Sequence, residues 1–303
     1  MTDKARERSP KEGSSENGPS GGRPPVIIIG MHRSGTSMLS QALEQAGLFL
    51  GWRQLAGHQE AQFFLRLNMW LMLQASAGWE APEAVRYVAE RPDARAAVDE
   101  YLRFSLRSPR AVSFLGAARY AKYRSVESLD EPWGWKDPRT TFTLPFWLDL
   151  FPEAKVVHVY RHGVDVAESL RARQAELASS GVERFQRQKR HHALRTKFSE
   201  LVPGMRFASL DEGFSLWMRY TREASQAVGR LGDRAFELKY EDFLKAPTER
   251  ITELATFCDV RDTSVAADAV RHVDASRAFA YRESTELRAF AETKADELAE
   301  FGY

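Results

Sequence analysis

The run Val26-Ile27-Ile28-Ile29 stops at Gly30, and a helical pattern begins after Ser37. Four consecutive β-branched apolar residues read as a strand buried on both faces, which is the habit of parallel sheets. Leu39, Ala42, Leu43 and Ala46 then recur on one helical face, with Gly47 as a C-terminal stop. Strand, glycine-bounded loop and helix N-terminus bring free backbone N–H groups and the helix dipole to one point, where they favour an anion. Gly30 and Gly35 keep the spacing of a G-x-x-x-x-G-K-[ST] phosphate loop, but Thr36 stands in the lysine position. That lysine reaches the terminal phosphates in nucleotide triphosphate chemistry, so its absence argues against a kinase or NTPase. Arg33 supplies a cation within the loop instead, beside Ser34, Thr36 and Ser37.

Composition narrows the class further. With 303 residues, 43% hydrophobic and 28% charged, the chain has the make-up of a globular protein of one large or two small domains. A net charge of +1 gives no case for nucleic acid as a partner. Cys258 is the only cysteine, which excludes an intrachain disulfide and a cysteine metal cluster. No apolar run is long enough for a membrane span, and the N-terminus has no secretion signal, so a cytoplasmic location is the expectation. Residues 1–24 are rich in Ser, Gly, Pro, Lys and Glu and are expected to be a disordered tail. Residues 25–303 are expected to form one α/β domain with helical insertions at about 58–125 and 171–212.

Further along, a helix is expected from about Glu60, with Phe63, Phe64, Leu67, Trp70 and Leu71 as its apolar stripe. A short strand through Trp135 would place Lys136 and Asp137 at its carboxyl end, where open α/β sheets collect ligands. Residues 155–160 read as a second buried strand ending at Arg161, and Asp165 is placed to cap the next helix. An arginine at a strand end and Ser169 in the following helix can converge on one phosphate. Residues 171–197 hold eight Lys or Arg against two Glu, which fits either a solvated helix or a mobile basic flap over an anion. Residues 235–240 are the last clear strand, and residues 262–303 read as polar helix with little chemical signal. Three strand ends therefore carry chemistry, and two phosphate-reading groups on one sheet suggest a nucleoside phosphorylated at both ends.

These segments resemble the sulfotransferases that use 3′-phosphoadenosine 5′-phosphosulfate (PAPS), particularly the bacterial branch related to tyrosylprotein sulfotransferases. The resemblance is carried in order by Gly30 to Ser37, by Lys136-Asp137-Pro138-Arg139, by residues 156–169, and by Tyr240-Glu241-Asp242-Phe243. It implies a P-loop-type three-layer sandwich with a central parallel sheet flanked by helices. It also implies transfer of a sulfuryl group to a hydroxyl or amine, with 3′,5′-ADP as product and no metal. By the same resemblance Arg33, Ser34, Gly35, Thr36 and Ser37 would hold the 5′-phosphosulfate, Arg161 and Ser169 the 3′-phosphate, and Tyr240 the adenine side.

Arg33 and Lys136 can neutralise charge on the leaving oxygen, and an acceptor needs a base for its proton. Glu60 matches the family's glutamate by position, while His58 and Asp137 remain competing candidates. The glycine-rich C-terminal motif of cytosolic members is not evident; Ser276 and Arg277 are the nearest substitutes. A P-loop kinase or NTPase and a non-catalytic nucleotide binder are the alternative readings. The acceptor class is open among sugar, lipid, phenol and peptide.

Overall fold

The computed structural model describes residues 21–194, 204–260, 262–271 and 273–303; most of the expected tail, and the end of the basic stretch, lie outside them. The core is a four-stranded parallel sheet in the order β4-β1-β5-β6, formed by β1 (Val26–Ile29), β4 (Gly134–Lys136), β5 (Lys155–Tyr160) and β6 (Ala235–Lys239). β1 is central: Ile27 pairs with Trp135 on one side and with Val156 on the other. All four β1 residues are buried because helices cover both faces of the sheet. Ile27 and Ile29 face one core, Val26 and Ile28 the other.

On the second face pack α1 (Thr36–Gln45), α9 (Tyr240–Lys245), α10 (Pro247–Phe257) and α11 (Thr263–Ala269). The first face carries α2 (Gln62–Leu73), α4 (Pro92–Arg107), α5 (Val112–Tyr123) and α6 (Thr140–Leu150), with the short α3 (Arg86–Ala89) between them. Its aromatic centre is Phe64, stacked on Trp135 at 4.0 Å between ring centroids. α7 (Gly163–Leu194) and α8 (Leu210–Val228) complete the crossover from β5 to β6, and α12 (Thr285–Thr293) and α13 (Ala295–Ala299) pack beside them. No helix among the described residues is long and apolar enough to cross a membrane.

Four sequence expectations change. Order begins before Pro24, because the Arg23 N–H donates to the Leu129 carbonyl and the Arg23 carbonyl accepts from the Trp133 indole. Glu60 is not in a helix: Gln54–Leu55 (β2) and Glu60–Ala61 (β3) form a small antiparallel pair, and α2 starts after it. The basic stretch from 171 is no separate insertion. It continues α7 without a break as far as residue 194. Asp165 does not cap that helix either, since its buried carboxylate is turned to a distant segment described below.

Candidate active site

The loop after β1 is built by glycine. Gly30 takes φ 132°, and a Cβ there would lie 2.1 Å from the Val159 carbonyl oxygen. Gly35 takes φ 91°, and a Cβ would strike the Tyr240 ring at 2.5 Å. The ring therefore lies directly on the loop. α1 starts at Thr36 with no side chain capping it; the Met38 N–H donates to the Gly35 carbonyl, and the Thr36 and Ser37 amides remain available to a ligand.

A cleft of about 450 Å³ opens above this loop. Its walls include Arg33 and Gly35 from the loop, Thr36 and Ser37 from the start of α1, Lys136 from β4, Arg161 from the β5–α7 connection, Ser169 from α7, and Tyr240. Among the loop residues expected to hold the ligand, Ser34 stands back: it is fully buried, its Oγ has no partner among the described residues, and it is not part of the wall. Arg33 Nε donates to Ser169 Oγ at 2.8 Å, which joins the two groups that the sequence suggested for separate phosphates. The Arg161 guanidinium stands 5.0 Å over the Tyr240 ring. Burial first, then the neighbouring cations Arg173, Arg161 and Arg277, push the Arg33 guanidinium below its ordinary pKa. Like charges near one another disfavour the charged form, and among the described residues Asp165 offsets this for Arg161 alone of the three neighbours, by an ion pair at 3.1 Å.

The C-terminal segment, where the sequence offers little chemical signal beyond Ser276 and Arg277 as substitutes for a missing motif, closes one wall of the cleft. The Asp165 carboxylate accepts from the backbone N–H of Ala280 at 3.2 Å and of Tyr281 at 2.7 Å. It also accepts from Arg161 at 3.1 Å, and Arg161 in turn donates to the Arg277 carbonyl at 2.9 Å. Arg277 thereby reaches the cleft from a stretch with no motif of its own. Glu241 anchors the same wall, accepting from the His162 backbone N–H at 2.9 Å and from the Tyr303 hydroxyl at 2.8 Å. Burial, ahead of the nearby cations, drives the His162 imidazole down to about 3, so it stacks as a neutral ring on Tyr281.

The three candidate bases sit in different settings. Lys136 Nζ donates to Glu60 Oε1 at 3.2 Å, to the His58 carbonyl and to Ser37 Oγ at 3.4 Å. Burial lowers the Lys136 pKa, while Glu60 opposes that shift. Arg139 approaches Glu60 Oε2 at 3.5 Å. Asp137 lies behind the cleft, accepting from Arg139 Nη1 at 2.9 Å, the Arg139 backbone N–H at 3.0 Å and Asn68 Nδ2 at 2.9 Å. Glu60 and His58 instead line both the main cleft and a second cavity of about 230 Å³. That cavity is walled mainly by apolar and aromatic groups, among them Trp79, Phe207, Leu170 and Leu177.

The model of the sulfotransferase family matches residues 24–264, most of the chain. No curated protein matches. Among solved structures, a sulfotransferase from Alicyclobacillus acidocaldarius is similar at 18% identity, over 92% of this chain and 95% of its own, with a TM-score of 0.48. The sulfotransferase domain of the Synechococcus PCC 7002 olefin synthase shows 18% identity over 96% of this chain and 98% of its own, with a TM-score of 0.45. A sulfotransferase domain from the curacin biosynthetic pathway shows 15% identity over 90% of this chain and 98% of its own, at a TM-score of 0.45. A parallel sheet, a glycine-built loop without a lysine and a family match that runs from the loop past Tyr240 agree: this chain belongs to the sulfotransferase family.

Proposed function

We propose that the sulfuryl donor is PAPS, and that it lies along the 450 Å³ cleft with its two phosphate ends at different walls. The observation that carries this is the pairing of two separate anion-reading groups on one cleft. The α1 N-terminus with Arg33, Thr36 and Ser37 suits the 5′-phosphosulfate. Arg161, Ser169 and the added Arg277 suit the 3′-phosphate, and Tyr240 touches both the loop and Arg161 where an adenine or ribose would lie. Lys136 and the loop amides then stabilise the charge on the departing phosphate oxygen.

The smaller cavity is the acceptor site in this reading, and Glu60 is the base, since it faces both spaces. Asp137 is spent on three hydrogen bonds and faces neither cavity, which leaves His58 as the competitor. The chain is expected to melt at higher temperature with 3′,5′-ADP and to respond little to ATP with Mg²⁺. Stabilisation by ATP alone would overturn the donor assignment in favour of a nucleotide kinase.

A further inference from the structure

Four residues line both the donor cleft and the smaller cavity: His32, His58, Glu60 and Arg173. A sulfuryl group passing directly from nucleotide to acceptor must cross the space they share. Arg173 is the only permanent cation of the four. It stands one helical turn after Ser169 on α7, so the two side chains share a face. Its neighbour Arg171 is clamped by Glu168 and Glu286 at 2.6 Å each, whereas Arg173 has no carboxylate at ion-pair distance among the described residues. It is half-buried, and its charge bears on Arg33, His32 and His58. A partly desolvated guanidinium set against a second one is unfavourable until an anion lies between them.

We propose that Arg173 grips the sulfuryl oxygens as the group crosses from donor to acceptor. This rests on the donor assignment above and adds a catalytic residue to it. In the step, a lone pair of the acceptor oxygen forms the new bond to sulfur. The bond between sulfur and the 5′-phosphate oxygen breaks, 3′,5′-ADP leaves with that electron pair, and the acceptor proton passes to Glu60. The sulfuryl group flattens between the two oxygens, and a planar guanidinium fork can hold two of its three peripheral oxygens throughout. Arg33 and Lys136 serve the phosphate side, leaving Arg173 for the group in flight.

PAPS and 3′,5′-ADP differ only in that group, so the pair tests the assignment without an acceptor. Calorimetric titration of Arg173→Ala should show PAPS weakened about tenfold or more, with 3′,5′-ADP changed less than about twofold. Arg173→Lys should recover part of the PAPS affinity, and retained 3′,5′-ADP binding certifies that either variant is folded. Equal weakening of both nucleotides overturns the proposal, since it assigns Arg173 to the nucleotide or to the scaffold. Unchanged affinity for both also overturns it and moves Arg173 to the acceptor side. If the unaltered chain binds neither nucleotide, the donor reading falls and this proposal with it; binding of both limits any failure to Arg173.

Discussion

Glu60 owes its position to a two-residue strand pair, and its behaviour depends on the cations that hold it there. Replacing it with alanine would strand Lys136 in a buried setting without its counter-ion. Glu60→Gln keeps a hydrogen-bond acceptor for Lys136 and removes only the capacity to take a proton. With any acceptor found using labelled PAPS, kcat should fall about 100-fold or more while 3′,5′-ADP affinity holds. Near-normal kcat in that variant would move the base to His58. Residues inside contiguous motifs were legible in the sequence: Gly35, Arg33, Lys136, Arg161 and Ser169 all reach one cleft. Arg173 was not singled out within its basic stretch, and Arg277 was named only as a substitute for a missing motif, because an arginine in a basic or polar helical stretch has the same local pattern whether it faces water or a ligand. Ser34, in the same motif as Arg33, is fully buried and stands outside the cleft wall.

At the scale of elements, Asn68 shows how the site is held rigid. From α2 its amide donates to Asp137 Oδ2 and to Thr140 Oγ1, both at 2.9 Å. Its carbonyl oxygen accepts from Thr143 Oγ1 at 2.7 Å and from the Trp147 indole at 2.8 Å. One fully buried side chain thus ties α2 to the end of β4 and the first turns of α6. Asn68→Ala leaves several buried polar groups unpaired, each costing about 1–3 kcal/mol, so a stability loss of about 3 kcal/mol or more is expected from urea unfolding. A loss under about 1 kcal/mol would mean that water replaces the amide. The strands and the long helices could be anticipated from periodicity, since both faces of β1 are covered and α8 has one apolar stripe. The β2–β3 pair could not, being two residues on each side with no alternation to detect. The length of α7 was also hidden, because its polar second half resembles any solvated stretch.

For the molecule as a whole, Asp165 is where distant parts of the chain meet. It lies at the start of α7, yet its oxygens hold Arg161 at the end of β5 and the backbone at Ala280 and Tyr281. Asp165→Ala is therefore expected to weaken 3′,5′-ADP binding by about tenfold or more and to speed proteolysis within residues 275–303. Both effects should appear without loss of the parallel sheet, as read by circular dichroism. Unchanged nucleotide affinity would show that Arg161 and Arg277 keep their places unaided. The same arrangement bears on synthesis. The loop and all four strands leave the ribosome before Arg277 does, so a nascent chain can assemble its sheet while one wall of the donor cleft is still missing. If the donor is PAPS as proposed, its tight capture is a late event in the life of the chain, timed by the arrival of a segment that belongs to no strand.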